Sequence, residues 1–208
     1  MQIFYACAKI NAMSTITEIT SQKKGDRLNV FLDGQFAFGV EYTTAVKFGL
    51  KVGKELGESD IAAIDEEEGN TAAFNRGLKY SVKKTVSRRQ MKDYLVRNGF
   101  SVTAADAAID KLGEYGYVDD EKFAYSYVAT YGSERGAKRM EFELRSAGVS
   151  AEIIARALET TDESACEKCL NKYMRTHKGI DRNKLVNYLV YRGFDWDEII
   201  ECLSRSGI

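Results

Sequence analysis

"LVRNGF" (residues 95–100), "LRSAGV" (residues 144–149) and "LVYRGF" (residues 189–194) are three versions of one phrase. Each is a leucine, three residues, a glycine and a large apolar residue. Met91, Met140 and Leu185 stand four residues before the leucines, and Ile109, Leu158 and Leu203 stand ten after the glycines. The leucines lie 49 and then 45 positions apart, a period typical of helical repeat arrays. Residues four apart share a helix face. Met91 and Leu95 therefore predict the buried side of a helix over about 88–98. Gly99 then falls just past its end, where a left-handed residue terminates a helix. Ser101 or Thr103 starts the next helix. The expected fold is mainly α: tandem three-helix repeats forming an elongated, curved array whose neighbours bury each other's apolar faces.

Ahead of the repeats the pattern is β. In "RLNVFLDGQFAFGV" (residues 27–40), Leu28, Val30 and Leu32 alternate with other residues, and Asp33-Gly34 separates them from a second run, 36–40. Asp-Gly between such runs predicts a type I′ hairpin. "STITEITSQ" (14–22) reads as a third strand, 41–48 as a helix stopped by Gly49, and "LGESDIAAIDEEEG" (56–69) as a short helix capped by Ser59. The acidic run 65–68 reads as a solvated face or linker. The expected divisions are an upstream or disordered extension over 1–12, a hairpin module over 13–70, and repeats over 71–118, 119–160 and 161–208.

Composition excludes several classes. The 208 residues carry 30 Lys+Arg against 31 Asp+Glu, so a globally basic nucleic-acid binder is not indicated. There is no proline, where average usage would give roughly ten; that suits helices with short joints. No apolar run reaches the length of a membrane helix, and "MQIFYACAKINAM" (1–13) lacks a signal peptide's basic start. Cys166 and Cys169 form a CxxC with His177 and Cys202 beyond it, a spacing unlike common zinc sites. Buried, reduced thiols in the cytoplasm are expected, with no metal and no cofactor.

"EYGYVDDEKFAYSYV" (114–128) is the chain's best candidate for paired catalytic carboxylates. It reads better as a helix start, with Asp119 as N-cap and Asp120 and Glu121 in the first turn, where the dipole favours negative charge. No nucleophile–base pair or glycine-rich phosphate loop accompanies it, so no catalytic residue is assigned and the chain is expected not to be an enzyme.

These same residues carry a resemblance. "GYVDDEKFAYSYV" followed by "ERGAKRMEFELRSAGV" (134–149) resembles the central signature of the RecX family of recombination regulators. The matching positions are Gly116, Tyr117, Asp119, Asp120, Phe123, Ala124, Gly136, Arg139, Leu144 and Gly148. The hairpin resembles that of the family's Firmicutes-type members, and the likeness runs from about residue 16 onward. The resemblance implies a DNA-repair function: binding the RecA recombinase on single-stranded DNA and restraining its ATPase, strand-exchange and co-protease activities. A cytoplasmic monomer with no membrane partner is expected.

The residues also offer a place for binding. Eight Lys/Arg and one acid, Asp93, fall between Arg76 and Arg97. With Met91 and Leu95 inward, Arg89 lies about 160° and Lys92 about 100° round the helix from Met91. The candidate partner- and DNA-binding residues are Arg88, Arg89, Lys92, Arg97, Lys138, Arg139, Arg182 and Lys184, a discontinuous basic track in which each copy places at least one base near the outward start of its second helix. Glu141 and Glu143 weaken it in the second repeat. Tyr117, Tyr125, Tyr127 and Tyr131 read mainly as core, with Tyr125 the best exposed, and Trp196 as closing the array's end. The alternative function is a helical-repeat protein acting directly on DNA, since a basic second helix resembles helix-turn-helix modules.

Overall fold

The computed structural model describes residues 13–22, 25–177 and 181–208; Cys7 and the expected extension over 1–12 lie outside them. The protein is mainly α, with ten α-helices among the described residues and a four-stranded antiparallel sheet. The described residues form two compact units, one within 13–79 together with 94–112 and the other within 80–93 together with 113–208.

In the first unit, β1 (Ser14–Ser21), β2 (Arg27–Leu32), β3 (Gln35–Glu41) and β4 (Glu55–Leu56) lie in the order β3-β2-β1-β4. The hairpin forms as expected: Asp33 and Gly34 both have positive φ, 50° and 83°, as a type I′ turn requires. Strand β1 grips that turn, with Thr15 N donating to Asp33 Oδ1 and Gly34 N to Thr17 Oγ1 (3.0 and 2.9 Å). Ile16, Val30, Phe38, Val40 and Leu56 fill the core beside Ala45 of α1 (Tyr42–Lys47). Two-residue β4 is too short to leave a sequence pattern.

Helix α2 corrects the short helix expected over 56–69, its Ser59 cap and its solvated acidic run. It runs unbroken from Glu58 to Ser81, through Gly69 and Asn70, so the division expected at 70/71 falls inside it. A single glycine costs a helix about 1 kcal/mol, less than the packing gained by continuing. Ser59 lies within this helix; the side chain at its start is Asp60, whose Oδ2 accepts from Gly57 N (2.9 Å). The acidic run is not wholly solvated either. Glu68 is buried, accepting from Glu41 N (2.9 Å) and from Arg27 (3.0 Å), which also pairs with Glu41. This network pins α2 to the sheet and satisfies a buried carboxylate that would otherwise be costly.

The remaining helices are α3 (Arg88–Arg97), α4 (Val102–Glu114), α5 (Asp120–Tyr131), α6 (Ala137–Ser146), α7 (Ala151–Leu158), α8 (Ala165–Thr176), α9 (Arg182–Arg192) and α10 (Trp196–Arg205). The repeated phrase is the end of α3, α6 and α9. Met91, Leu95, Met140, Leu144, Leu185 and Leu189 are all fully buried, each contributing about 1.5–3 kcal/mol. The glycine is left-handed every time, with φ of 87°, 85° and 89°. The following residue then bonds back to the leucine: Phe100 N to Leu95 O, Val149 N to Leu144 O, Phe194 N to Leu189 O. That is a Schellman ending, and it explains why leucine, glycine and the next apolar residue recur together. Ser101 caps α4 through Ala104 N, as expected. Helices α5–α7 share one core, including Phe123, Val128 and Ile154, and α8–α10 another, including Cys169, Ile199 and Leu203.

The second unit holds two joints of one design. Gly148, just past α6, lies against the Arg89 side chain at the start of α3. Ser87 Oγ donates to Ala147 O (2.6 Å). Gly193, just past α9, lies against Arg139 at the start of α6, where Gly136 N donates to Arg192 O (3.0 Å) and Lys138 N to Gly193 O (3.2 Å). In each joint the carbonyl end of one helix meets the amide end of another, so opposite dipole ends face each other. Gly99 has the same left-handed φ with no atom within 4 Å of where a Cβ would stand.

Asp119 is the N-cap expected of it: extended, and accepting from Glu121 N (2.9 Å) and Lys122 N (3.0 Å). Asp119→Ala is expected to cost about 1 kcal/mol, read as a lower melting temperature with regulatory activity retained. An unchanged melting temperature with activity abolished would instead put the acids on the partner. Asp120 does more than complement its own dipole: its Oδ1 accepts Arg88 N (2.8 Å) at the start of α3.

Candidate functional site

The start of α3 is built by Ser87. Its Oγ accepts from Gln90 N (3.1 Å) while Gln90 Oε1 accepts from Ser87 N (3.4 Å), a reciprocal cap. The Ser-x-x-Gln spacing was there to be read in the sequence and marks this helix start. Cations at the amide end of a helix are disfavoured by its dipole. Here the Asp120 carboxylate and the Ala147 carbonyl offset that cost.

Arg88 and Arg89 are exposed on this first turn and Lys92 is half-buried. The Arg88 guanidinium lies close to Gly113, and the methylenes of Arg89 cover Gly148. The Arg89 charge therefore stands on an anchored stem, whereas for Arg88 the charged end itself is closely packed. Arg97 is exposed at the last turn of α3, in the part of that helix belonging to the first unit. Just upstream, the Lys84 ammonium sits 5.0 Å from the Tyr80 ring centroid.

In the second repeat the expected pair is engaged elsewhere. Lys138 Nζ lies 2.6 Å from Asp195 Oδ2, and the hydrogen bond and charge of that carboxylate raise the lysine's pKa. Arg139 is half-buried, with Nε 3.1 Å from Glu143 Oε1, Nη1 donating to Tyr191 O (3.3 Å) and the guanidinium over the Tyr191 ring. Glu143 also takes Arg135 (2.5 Å) and the Tyr127 hydroxyl. Burial works to raise the Glu143 carboxyl, but these partners outweigh it and its pKa is lowered. Glu143 and Asp195 thus neutralise both cations, a stronger version of the weakening expected from Glu141 and Glu143. Glu141 itself pairs with Arg145.

In the third repeat Arg182 and Lys184 are exposed on the first turn of α9, which Asp181 caps through Asn183 N and Lys184 N. Seven of the eight candidates lie in the second unit; of these Lys138 and Arg139 are tied into the joint, and Lys184 Nζ lies 3.7 Å from Asp181 Oδ2. A second basic face was missed. Lys168, Lys172 and Arg175 on α8 follow the i, i+4, i+7 rule and line one depression with Asn171 and Thr176. Lys168 pairs with Asp162 and Lys172 with Glu134.

The aromatic expectations need correction. Tyr125 is 36% exposed, less than Tyr117 at 46% and Tyr191 at 74%. Trp196 does not close an end; it is exposed on the first turn of α10. Cys166, Cys169 and Cys202 are buried free thiols, and burial pushes all three up in pKa. His177 is stacked on Tyr173, ring centroids 4.0 Å apart. Among the described residues, no group of three or more His, Cys, Asp or Glu could hold a metal ion, and no helix is long and apolar enough to cross a membrane.

Comparison with known proteins places this architecture. The family model "Regulatory protein RecX N-terminal domain" matches residues 14–57, the sheet and α1, and "RecX, second three-helix domain" matches 119–158, helices α5–α7. The chain is 32% identical over 205 residues to the regulatory protein RecX of Bacillus licheniformis, spanning 93% of this chain and 78% of that one. Its counterpart from Bacillus subtilis (strain 168) is 32% identical over 206 residues, spanning 93% and 77%. A crystal structure of regulatory protein RecX superposes with a TM-score of 0.74 at 25% identity, covering 90% of this chain and 99% of that chain. The shared sheet, the shared three-helix unit and this identity along most of the chain establish that the protein belongs to the RecX family of regulatory proteins.

Proposed function

We propose that this protein binds the RecA recombinase filament assembled on single-stranded DNA and restrains its ATPase, strand-exchange and co-protease activities. It acts as a cytoplasmic monomer, by binding and without catalysis of its own. The observation that carries the reading is the match to proteins named regulatory protein RecX along more than nine-tenths of the chain. The exposed cations at the start of α3 support it, since a filament carrying phosphate and acidic protein surface attracts such a cluster. A binding protein slows a cycling partner only by preferring one of its states. The proposed effect therefore requires tighter binding to the ATP-bound filament or to a form that cannot complete hydrolysis.

The test is a titration into RecA and single-stranded DNA at saturating ATP, with hydrolysis followed. The expected result is a rate that falls to a plateau as the protein saturates the filament. An unchanged rate overturns the inhibitory reading, and a raised rate reverses its sign while keeping the partner. The second reading, a protein acting directly on DNA, is favoured by one observation: Arg88 and Arg89 stand exposed on the first turn of a helix, as recognition helices present their contacts. It predicts binding to DNA that RecA does not strengthen.

A further inference from the structure

We infer that the depression between α5 and the approach to α3 is a subsite for one nucleotide of single-stranded nucleic acid, held directly and without RecA. Its volume is about 330 Å³, at the small end of the range of ligand pockets. One wall is an aromatic ladder. Tyr127 and Tyr131 stand one turn apart on α5, ring centroids 4.7 Å apart. Their rings are held in place: Tyr127 by Glu143 and Arg135 at its hydroxyl, Tyr131 by the Arg135 guanidinium 3.9 Å from its centroid. Fixed rings give up little entropy on stacking with a ligand.

Phe123 extends the aromatic wall, and the other lining groups are hydrogen-bonding: the Thr85 and Ser126 hydroxyls, the Gln90 carboxamide, and the Thr130 hydroxyl, which donates to Ser126 O. Gln90 Oε1 already accepts from Ser87 N, which directs the carboxamide's nitrogen as the donor for a ligand. The single charge on the lining is the Lys84 ammonium, and no carboxylate shares it. A flat ring with polar edges and an attached anion matches that set: the base against the tyrosines, its edge toward the hydroxyls and amide, its phosphate toward Lys84. Two other depressions in the second unit fail the same comparison. The one beside Cys166 and Cys202 is lined by four glutamates, which repel phosphate. The α8 depression has three cations but no aromatic ring.

The subsite goes beyond the filament reading, and its test leaves RecA out. Anisotropy measurements at low salt would compare a labelled short oligothymidylate with an abasic strand of equal length and charge. The expected result is about tenfold tighter binding of the strand that carries bases. Tyr131→Leu, checked for folding by circular dichroism, is expected to remove that preference and leave abasic binding unchanged. Ser126→Leu, at an exposed position of α5, fills the depression without touching the core and is expected to do the same. Lys84→Gln is expected to weaken both strands alike, by about threefold. Equal affinity of the wild type for both strands overturns the subsite while leaving filament binding untouched. So does a preference that survives in a folded Ser126→Leu variant.

Discussion

Gly193→Ala is expected to destabilise the second unit by about 3–5 kcal/mol, whereas Gly99→Ala should cost only about 1–2 kcal/mol. Both glycines end a helix at the same place in the repeated phrase, and both have positive φ, 89° and 87°. An alanine at either position meets the same left-handed backbone penalty. The two differ in surroundings. A Cβ on Gly193 would stand 2.3 Å from Arg139 Cβ and 2.5 Å from Arg139 N, and backbone at that distance cannot move aside without opening the joint. A Cβ on Gly99 would meet open space. Gly148→Ala is expected to fall between them, because its nearest neighbours are Cβ and Cδ of a single side chain, Arg89, at 2.7 and 2.8 Å. Circular dichroism melts of the three variants check the order. Equal losses for Gly99→Ala and Gly193→Ala would show that the close approach contributes nothing and that the glycines serve backbone conformation alone.

The second large effect concerns binding. Neutralising Arg88, Arg89 and Lys92 together to Gln is expected to weaken filament binding about 10- to 100-fold at low salt, with the fold intact. Glutamine keeps the Cβ and Cγ methylenes that Arg89 lays over Gly148 and places its amide carbon at the Cδ position, so the joint is expected to be spared. The salt dependence should flatten too, because about 0.7 of a counterion is released per single-strand phosphate contact. Lys138→Gln is the contrast. Its ammonium is committed to Asp195 at 2.6 Å, and the change is expected to alter affinity about twofold or less. Affinity at two salt concentrations for both variants separates the cases. A larger loss from Lys138→Gln than from the triple change would move the contact surface to the second repeat.

The reach of the sequence follows from which forces are local. The leucine, glycine and following apolar residue of each repeat were legible because the Schellman ending is written in six consecutive residues. The Asp33-Gly34 turn and the Asp119 cap were legible for the same reason. What could not be read was long-range. Gly69 and Asn70 look like a helix stop in isolation, yet α2 continues because Glu68 anchors it to Arg27 and Glu41 across the sheet. Lys138 and Arg139 look like free cations until Asp195 and Tyr191, distant in the chain, are folded against them. Of the candidate site, the residue types and their helix position were visible. Whether each charge was already spent on a partner was not. The second role of Gly148 and Gly193, letting two helix ends meet, was equally hidden, because nothing within either phrase names the residue it must approach.

The central claim is that RecA on DNA is a tighter partner than DNA by itself. The direct measurement is the affinity of the wild-type protein for one single-stranded oligonucleotide, bare and then coated with RecA in the presence of a non-hydrolysable ATP analogue, at matched salt. The account predicts binding at least about tenfold tighter to the coated strand, with the gain reduced in the Arg88, Arg89 and Lys92 triple variant. Affinity that is equal on bare and coated strands, or lower once RecA covers the DNA, would contradict it.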